Sequence, residues 1–64
     1  MQLRDILKAR IESGEITARL PSERDLKNEF GLAPMTIRKA VRLLRDEGLV
    51  IAVTGRGVYV RRDH

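Results

Sequence analysis

The sequence predicts a small α+β domain in which three helices precede a β-hairpin. Three observations carry this expectation. Between Leu20 and Gly48 two stretches of helical periodicity are punctuated by Pro21, Gly31 and Pro34; an amphipathic stretch precedes them; and after Gly48 the pattern changes to short β-branched runs. The chain has 64 residues. A chain of that size buries only about 60% of its unfolded surface, which fits a single domain over residues 1–64.

The first helix is expected from Gln2 to about Ser13, because Leu3, Ile6, Leu7 and Ile11 form an apolar stripe with Arg4, Asp5, Lys8 and Arg10 off it. Gly14 suits its C′ position. Mixed charges and the lack of large aromatics favour core packing over a membrane surface. In the linker Glu15 to Leu20, the residues Ile16, Thr17 and Leu20 fit a very short extended piece. Pro21 keeps Leu20 out of the helical region and sets up Ser22 to cap the second helix, with Asp25 at the acidic position three residues on. Leu26 and Phe30 give that helix its buried side. Gly31 permits the positive φ of a sharp exit, and Pro34 suits the first turn of the third helix, where its missing N–H costs nothing.

In the third helix Ile37, Ala40, Val41 and Leu44 follow the spacing of a buried stripe, while Met35, Arg38, Lys39, Arg42 and Arg45 fall mostly on the other side. A charged outer face is ordinary for an isolated helix. A preceding helix joined by a tight turn changes that reading, since this is the geometry that can place one helix in the major groove of DNA. Arg24, in the first turn of the second helix beside Glu23 and Asp25, is either a surface ion-pair partner or a DNA contact. Asp46 and Glu47 sit at the negative end of the third helix dipole for no reason the sequence reveals, and Gly48 marks its C′ position.

Leu49 to Val53 and Val58 to Val60 read as two strands, with Thr54-Gly55-Arg56-Gly57 as the turn. This places one cation at an exposed tip between two glycines, which suits contact with phosphate or a minor groove, although a Gly-Arg-Gly turn alone is most often just a turn. Arg61 to His64 form a polar tail to which no role is assigned.

Thirteen Lys and Arg against nine Asp and Glu give a formal net charge of +4. That balance favours an anionic partner, nucleic acid ahead of an anionic membrane. With one Phe, one Tyr and no Trp the chain lacks stacking platforms for unpaired bases, so duplex DNA is preferred to single strands. Zero cysteines exclude disulfides and thiolate metal sites, and with no apolar run long enough to span a bilayer and no signal peptide the cytoplasm is the expected location. No nucleophile–base pair, metal cluster or phosphate-cradling glycine loop is present, so neither catalysis nor a cofactor or metal is expected.

Helix, helix, helix and hairpin in that order describe a winged helix-turn-helix domain, and the sequence resembles the GntR family of bacterial transcription regulators. The resemblance lies in LPSERDL, in MTIRKAVRLLRDEGLV and in GRGVYV, and so covers nearly the whole chain. It implies a domain that binds double-stranded operator DNA as a dimer, with the third helix in the major groove and the wing near the minor groove. It further implies that Ser22 caps, that Arg24 reaches DNA, that Thr36 and Arg38 approach phosphate or base edges, and that Gly55 and Gly57 shape a wing tip presenting Arg56 to the backbone. Lys39 and Arg42 are added from helical geometry as phosphate contacts, and Met35 and Thr54 complete the candidate DNA-binding set.

Two departures from the family pattern stand out. Ala33 and Pro34 stand where a polar cap followed by Arg is frequent, and Thr17 stands where Gly is common. Family members usually continue into a larger effector-binding domain, which is not expected within these residues. No coiled-coil seam is visible, so a homodimer is expected to be weak and to form on a palindromic site. The expected function is sequence-specific duplex binding by a transcriptional regulator, a repressor. The alternative is a winged-helix module for protein–protein interaction.

Overall fold

The computed structural model describes residues 2–61. In chain order it contains α1 (Gln2–Glu12), α2 (Glu23–Phe30), α3 (Pro34–Asp46), β1 (Val50–Val53) and β2 (Gly57–Val60). The helices begin and end where backbone chemistry stops them. Ser22 has extended dihedrals and its hydroxyl accepts from the Asp25 N–H at 3.1 Å, which satisfies one donor that α2 itself leaves open. Gly31, at φ 66°, turns the chain out of α2 while its N–H donates to the Lys27 carbonyl. Ala33 offers α3 no side-chain cap, and Pro34 at the first helical position lacks an N–H that the helix would otherwise leave without a partner.

β1 and β2 pair antiparallel, with Val50 opposite Val60 and Val53 opposite Gly57. The linker supplies a third rung. The Leu20 N–H donates to the Val58 carbonyl at 2.8 Å, the Val60 N–H donates to the Ala18 carbonyl at 2.7 Å, and Arg19 bridges Tyr59. The short extended piece therefore lies at 18–20 and makes β2 the middle of a three-rung arrangement. Arg61, read from the sequence as part of a tail without a role, extends the hairpin by one rung, its N–H donating to the Leu49 carbonyl at 3.0 Å. His64 lies outside the described residues.

α3 is the central element and packs against α1, α2 and β1. Leu7, Leu26, Ile37, Leu44 and Val50 are the largest fully buried side chains. Burying each contributes roughly 1.5–3 kcal/mol of transfer free energy. Ile6, expected in the α1 stripe, is 39% exposed. The buried residues of α1 are Leu3, Leu7 and Ile11, spaced four apart, because its packing is against α3 and Ile6 falls to the flank. Phe30 and Val41 are half-buried at the margin of the core rather than within it.

Of the two acids at the end of α3, Glu47 has a tertiary explanation. Glu47 accepts from Arg4 Nε at 2.6 Å and also from Arg4 Nη2, and Lys8 Nζ lies 3.9 Å away. Two cations of α1 thus outweigh the unfavourable helix-terminus dipole, and the Arg4 guanidinium holds the Glu47 carboxyl below the usual glutamate range.

Candidate nucleic-acid interface

The outer face of α3 is open. Met35 is 71% exposed, Arg38, Lys39 and Arg42 are exposed, and Thr36 is half-buried at the helix start. The apolar residues Ile37, Ala40 and Leu44 anchor the opposite side, so the cations are carried by a helix whose rotation is fixed by packing. A groove along this face is lined by Met35, Thr36, Arg38, Lys39, Arg42 and Leu43.

Beside it, a concavity of about 430 Å³ lies between α3, the entry to α2 and the base of the hairpin. Ser22, Arg38, Arg42 and Gly57 from the sequence-predicted set line it, together with Arg19, Glu23 and Arg45, which sequence reasoning left out of that set. Arg24 and the tip residues Thr54, Gly55 and Arg56 line neither surface. Arg56 is exposed at the hairpin tip, where its N–H donates to the Val53 carbonyl at 3.0 Å and closes the turn.

Charge is arranged asymmetrically over the molecule. On the α1 side arginines are neutralised internally: Arg4 by Glu47 and Asp5, and Arg10 by Glu29 at 2.5 Å and Glu15 at 3.2 Å. Each of these arginines is held more firmly protonated by its partners, chiefly by hydrogen bonding to Glu47 and Glu29. Among the described residues Arg19, Arg24, Lys39, Arg42, Arg45 and Arg56 have no carboxylate within 4.0 Å. Of the two readings open for Arg24, the ion pair is therefore not formed.

Arg38 is the exception on this face. Its Nε lies 2.6 Å from Glu23 Oε1 and its Nη2 3.4 Å from Oε2, so the carboxylate occupies the side-on edge of the guanidinium. The Nη1 group stays available for a second partner. The sequence places Glu23 only beside Arg24, since a pairing with Arg38 across fifteen residues leaves no periodic trace. Arg19 escaped for a similar reason. Only the register of the linker rung with β2 carries it over Gly57, where an added Cβ would stand 3.0 Å from Arg19 Nε. No helix among the described residues is long and apolar enough to cross a membrane.

With this geometry in place, the family profile described as "Bacterial regulatory proteins, gntR family" matches residues 1–60. The chain belongs to the GntR family. Within that family it is 40% identical over 63 residues to the HTH-type transcriptional repressor NagR of Bacillus subtilis (strain 168), covering 95% of this chain and 26% of that protein. It is 48% identical over 42 residues to the histidine utilization repressor of Klebsiella aerogenes, covering 66% of this chain and 17% of that protein. This GntR chain thus spans about a quarter or less of the curated relatives named here. Among solved structures, the DNA-binding domain of AraR in complex with operator ORR3 superimposes with a TM-score of 0.88 at 34% identity, over 94% of this chain and 75% of that one. The possible transcriptional regulator YydK of Bacillus subtilis gives a TM-score of 0.86 at 28% identity, over 98% of this chain and 28% of that one. The GntR chain is accordingly a winged helix-turn-helix, with the hairpin as its wing, and the two curated relatives named here are repressors.

Proposed function

We propose that this GntR domain binds double-stranded operator DNA in a sequence-specific way and serves a bacterial transcriptional repressor, acting by occupancy rather than by catalysis and without a cofactor. The observation that carries this reading is the charge asymmetry: arginines on the α1 side are matched by carboxylates, whereas Arg19, Lys39, Arg42, Arg45 and Arg56 around α3 and the wing have no carboxylate within 4.0 Å among the described residues. The relatives named as repressors and the AraR domain described in complex with an operator support it. Chromosomal DNA as the partner assigns the protein to the cytoplasm.

In this reading residues 1–64 act as one domain that lays α3 along the major groove and sets the wing at the minor groove. Arg38 is the base reader. Glu23 occupies its side-on edge, which turns the remaining guanidinium donors toward a guanine O6/N7 pair. Met35 and Thr36 sit beside it at the groove-facing start of α3. Arg24, Lys39, Arg42 and Arg56 hold phosphates, with Thr54, Gly55 and Gly57 shaping the tip, and Ser22 fixes the α2 entry. Two copies paired on a palindrome about one helical turn long supply the affinity that one half-site lacks.

Duplexes selected from a random library give the operator, and variants are then compared on that duplex and on random sequence. Arg38→Ala should cost roughly 1–3 kcal/mol on the selected duplex and relax its specificity, while Lys39→Ala should weaken both duplexes alike. Equal losses on both duplexes for Arg38→Ala would remove it as the reader. Failure of the wild-type chain to enrich any sequence, with salt-insensitive binding to a protein partner, would instead favour a protein-interaction module.

A further inference from the structure

The concavity beside α3 holds more positive charge than one base reader requires. Arg38 is engaged there by Glu23, but Arg19, Arg42 and Arg45 also line it, and among the described residues none of the three has a carboxylate within 4.0 Å. They arrive from two separate places in the chain. Arg42 and Arg45 follow Arg38 along one helical face, while Arg19 comes from the linker rung and lies across Gly57, where any Cβ would crowd its guanidinium. Bringing three like charges to one depression is unfavourable in the free protein, so a partner anion gains from all of them at once.

Beneath this rim the surface is apolar. Leu20 is buried, and Val41 and Val58 are half-buried where they line the same depression. Guanidinium groups around an apolar floor match the chemistry of a nucleotide backbone, whose phosphodiester oxygens take bidentate N–H donors while the deoxyribose presents carbon to carbon. We propose that Arg19, Arg42 and Arg45 form a phosphate clamp that seats one DNA strand between α3 and the base of the wing. The clamp rests on the duplex-binding reading above and adds Arg19 and Arg45 to it. Being electrostatic, it positions the strand without reading sequence, and glycine at position 57 leaves Arg19 the room to join it.

The test compares the full chain, Arg19→Gln/Arg45→Gln and Arg19→Lys/Arg45→Lys on the selected and random duplexes across a salt series. Each lost phosphate contact removes about 0.9 from the slope of log affinity against log salt. The Gln pair should therefore flatten the slope by about 1.8 on both duplexes, and the wild-type advantage should shrink by about tenfold between 50 and 200 mM salt. The Lys pair should keep the slope, since it keeps the charge. Placing neutral methylphosphonate linkages along the strand should weaken the wild type at one or two positions at which the Gln pair is indifferent.

An unchanged slope in a folded Gln variant, or a loss confined to the selected duplex, overturns the clamp while leaving duplex binding intact. A wild-type chain that binds no duplex overturns the underlying reading instead. Should the Gln pair fail to fold, as judged by circular dichroism, Arg45→Gln alone provides the measurement: Arg45 is exposed on α3, and its loss should flatten the slope by about 0.9.

Discussion

Replacing Glu23 by Ala tests whether the free protein already holds Arg38 ready to read a base. The pair closes at 2.6 Å between Nε and Oε1, with side chains 65% and 42% exposed for Arg38 and Glu23. At that exposure its direct contribution to folding is small, about 0–1 kcal/mol, and the lost helix-dipole interaction is of similar size. The unfolding free energy should fall by about 1 kcal/mol. The effect on DNA binding is distinctive because two terms act differently on the two duplexes. Removing a negative charge at the DNA-facing rim relieves repulsion from phosphates, worth about 0.5 kcal/mol before screening if one is taken to lie a Debye length of about 8 Å off, or twofold in affinity on any sequence. Releasing Arg38 adds a side chain that must be ordered on specific binding, at roughly 0.5–1.5 kcal/mol. Affinity for random duplex should therefore rise about twofold while the ratio of selected to random binding falls about fivefold, read by fluorescence anisotropy at low salt. Equal gains on both duplexes would refute the positioning role and leave Glu23 as a repulsive charge only.

Two further outcomes concern the fold that presents the site. Leu44→Ala removes a fully buried anchor of α3 and should cost about 2–5 kcal/mol in urea unfolding, a large fraction of the roughly 3–10 kcal/mol a domain of this size holds. Glu47, whose folded-state carboxyl is lowered by Arg4, adds stability that is present above the unfolded value near ~4.3 and is lost as pH falls through the depressed folded value. The melting temperature of Glu47→Gln should accordingly lie below that of the wild type at neutral pH, with the gap closing as the pH is taken below about 4. A gap that stays constant through that window would mean the Arg4–Glu47 pair does not act through its charge.

Much of the fold is legible residue by residue because helix ends and hairpin turns are set by local chemistry. The Ser22 cap, the exit at Gly31 and Pro34 at the start of α3 fall where short-range rules put them, and the hairpin turn differs only in that Gly57, expected in the turn, opens β2. Within the candidate site, the basic face of α3 is equally visible, since the periodicity that buries Ile37 and Leu44 necessarily turns Arg38, Lys39 and Arg42 outward. Ile6 shows the limit of that logic. A stripe reports which face is apolar, and only the width of the covering element decides how much of the stripe is buried.

The order of the elements, their caps and a cationic surface on the third helix thus follow from the amino-acid order alone. Tertiary structure alone decided which of those cations are spoken for. Arg4 finds Glu47 across forty-three residues, Arg38 finds Glu23 across fifteen, and the linker rung on β2 carries Arg19 over Gly57 to join Arg42 and Arg45. The physical reason is range. Caps and periodicity act within one or two turns of chain, whereas the pairing of charges depends on which surfaces the core brings together once it has closed.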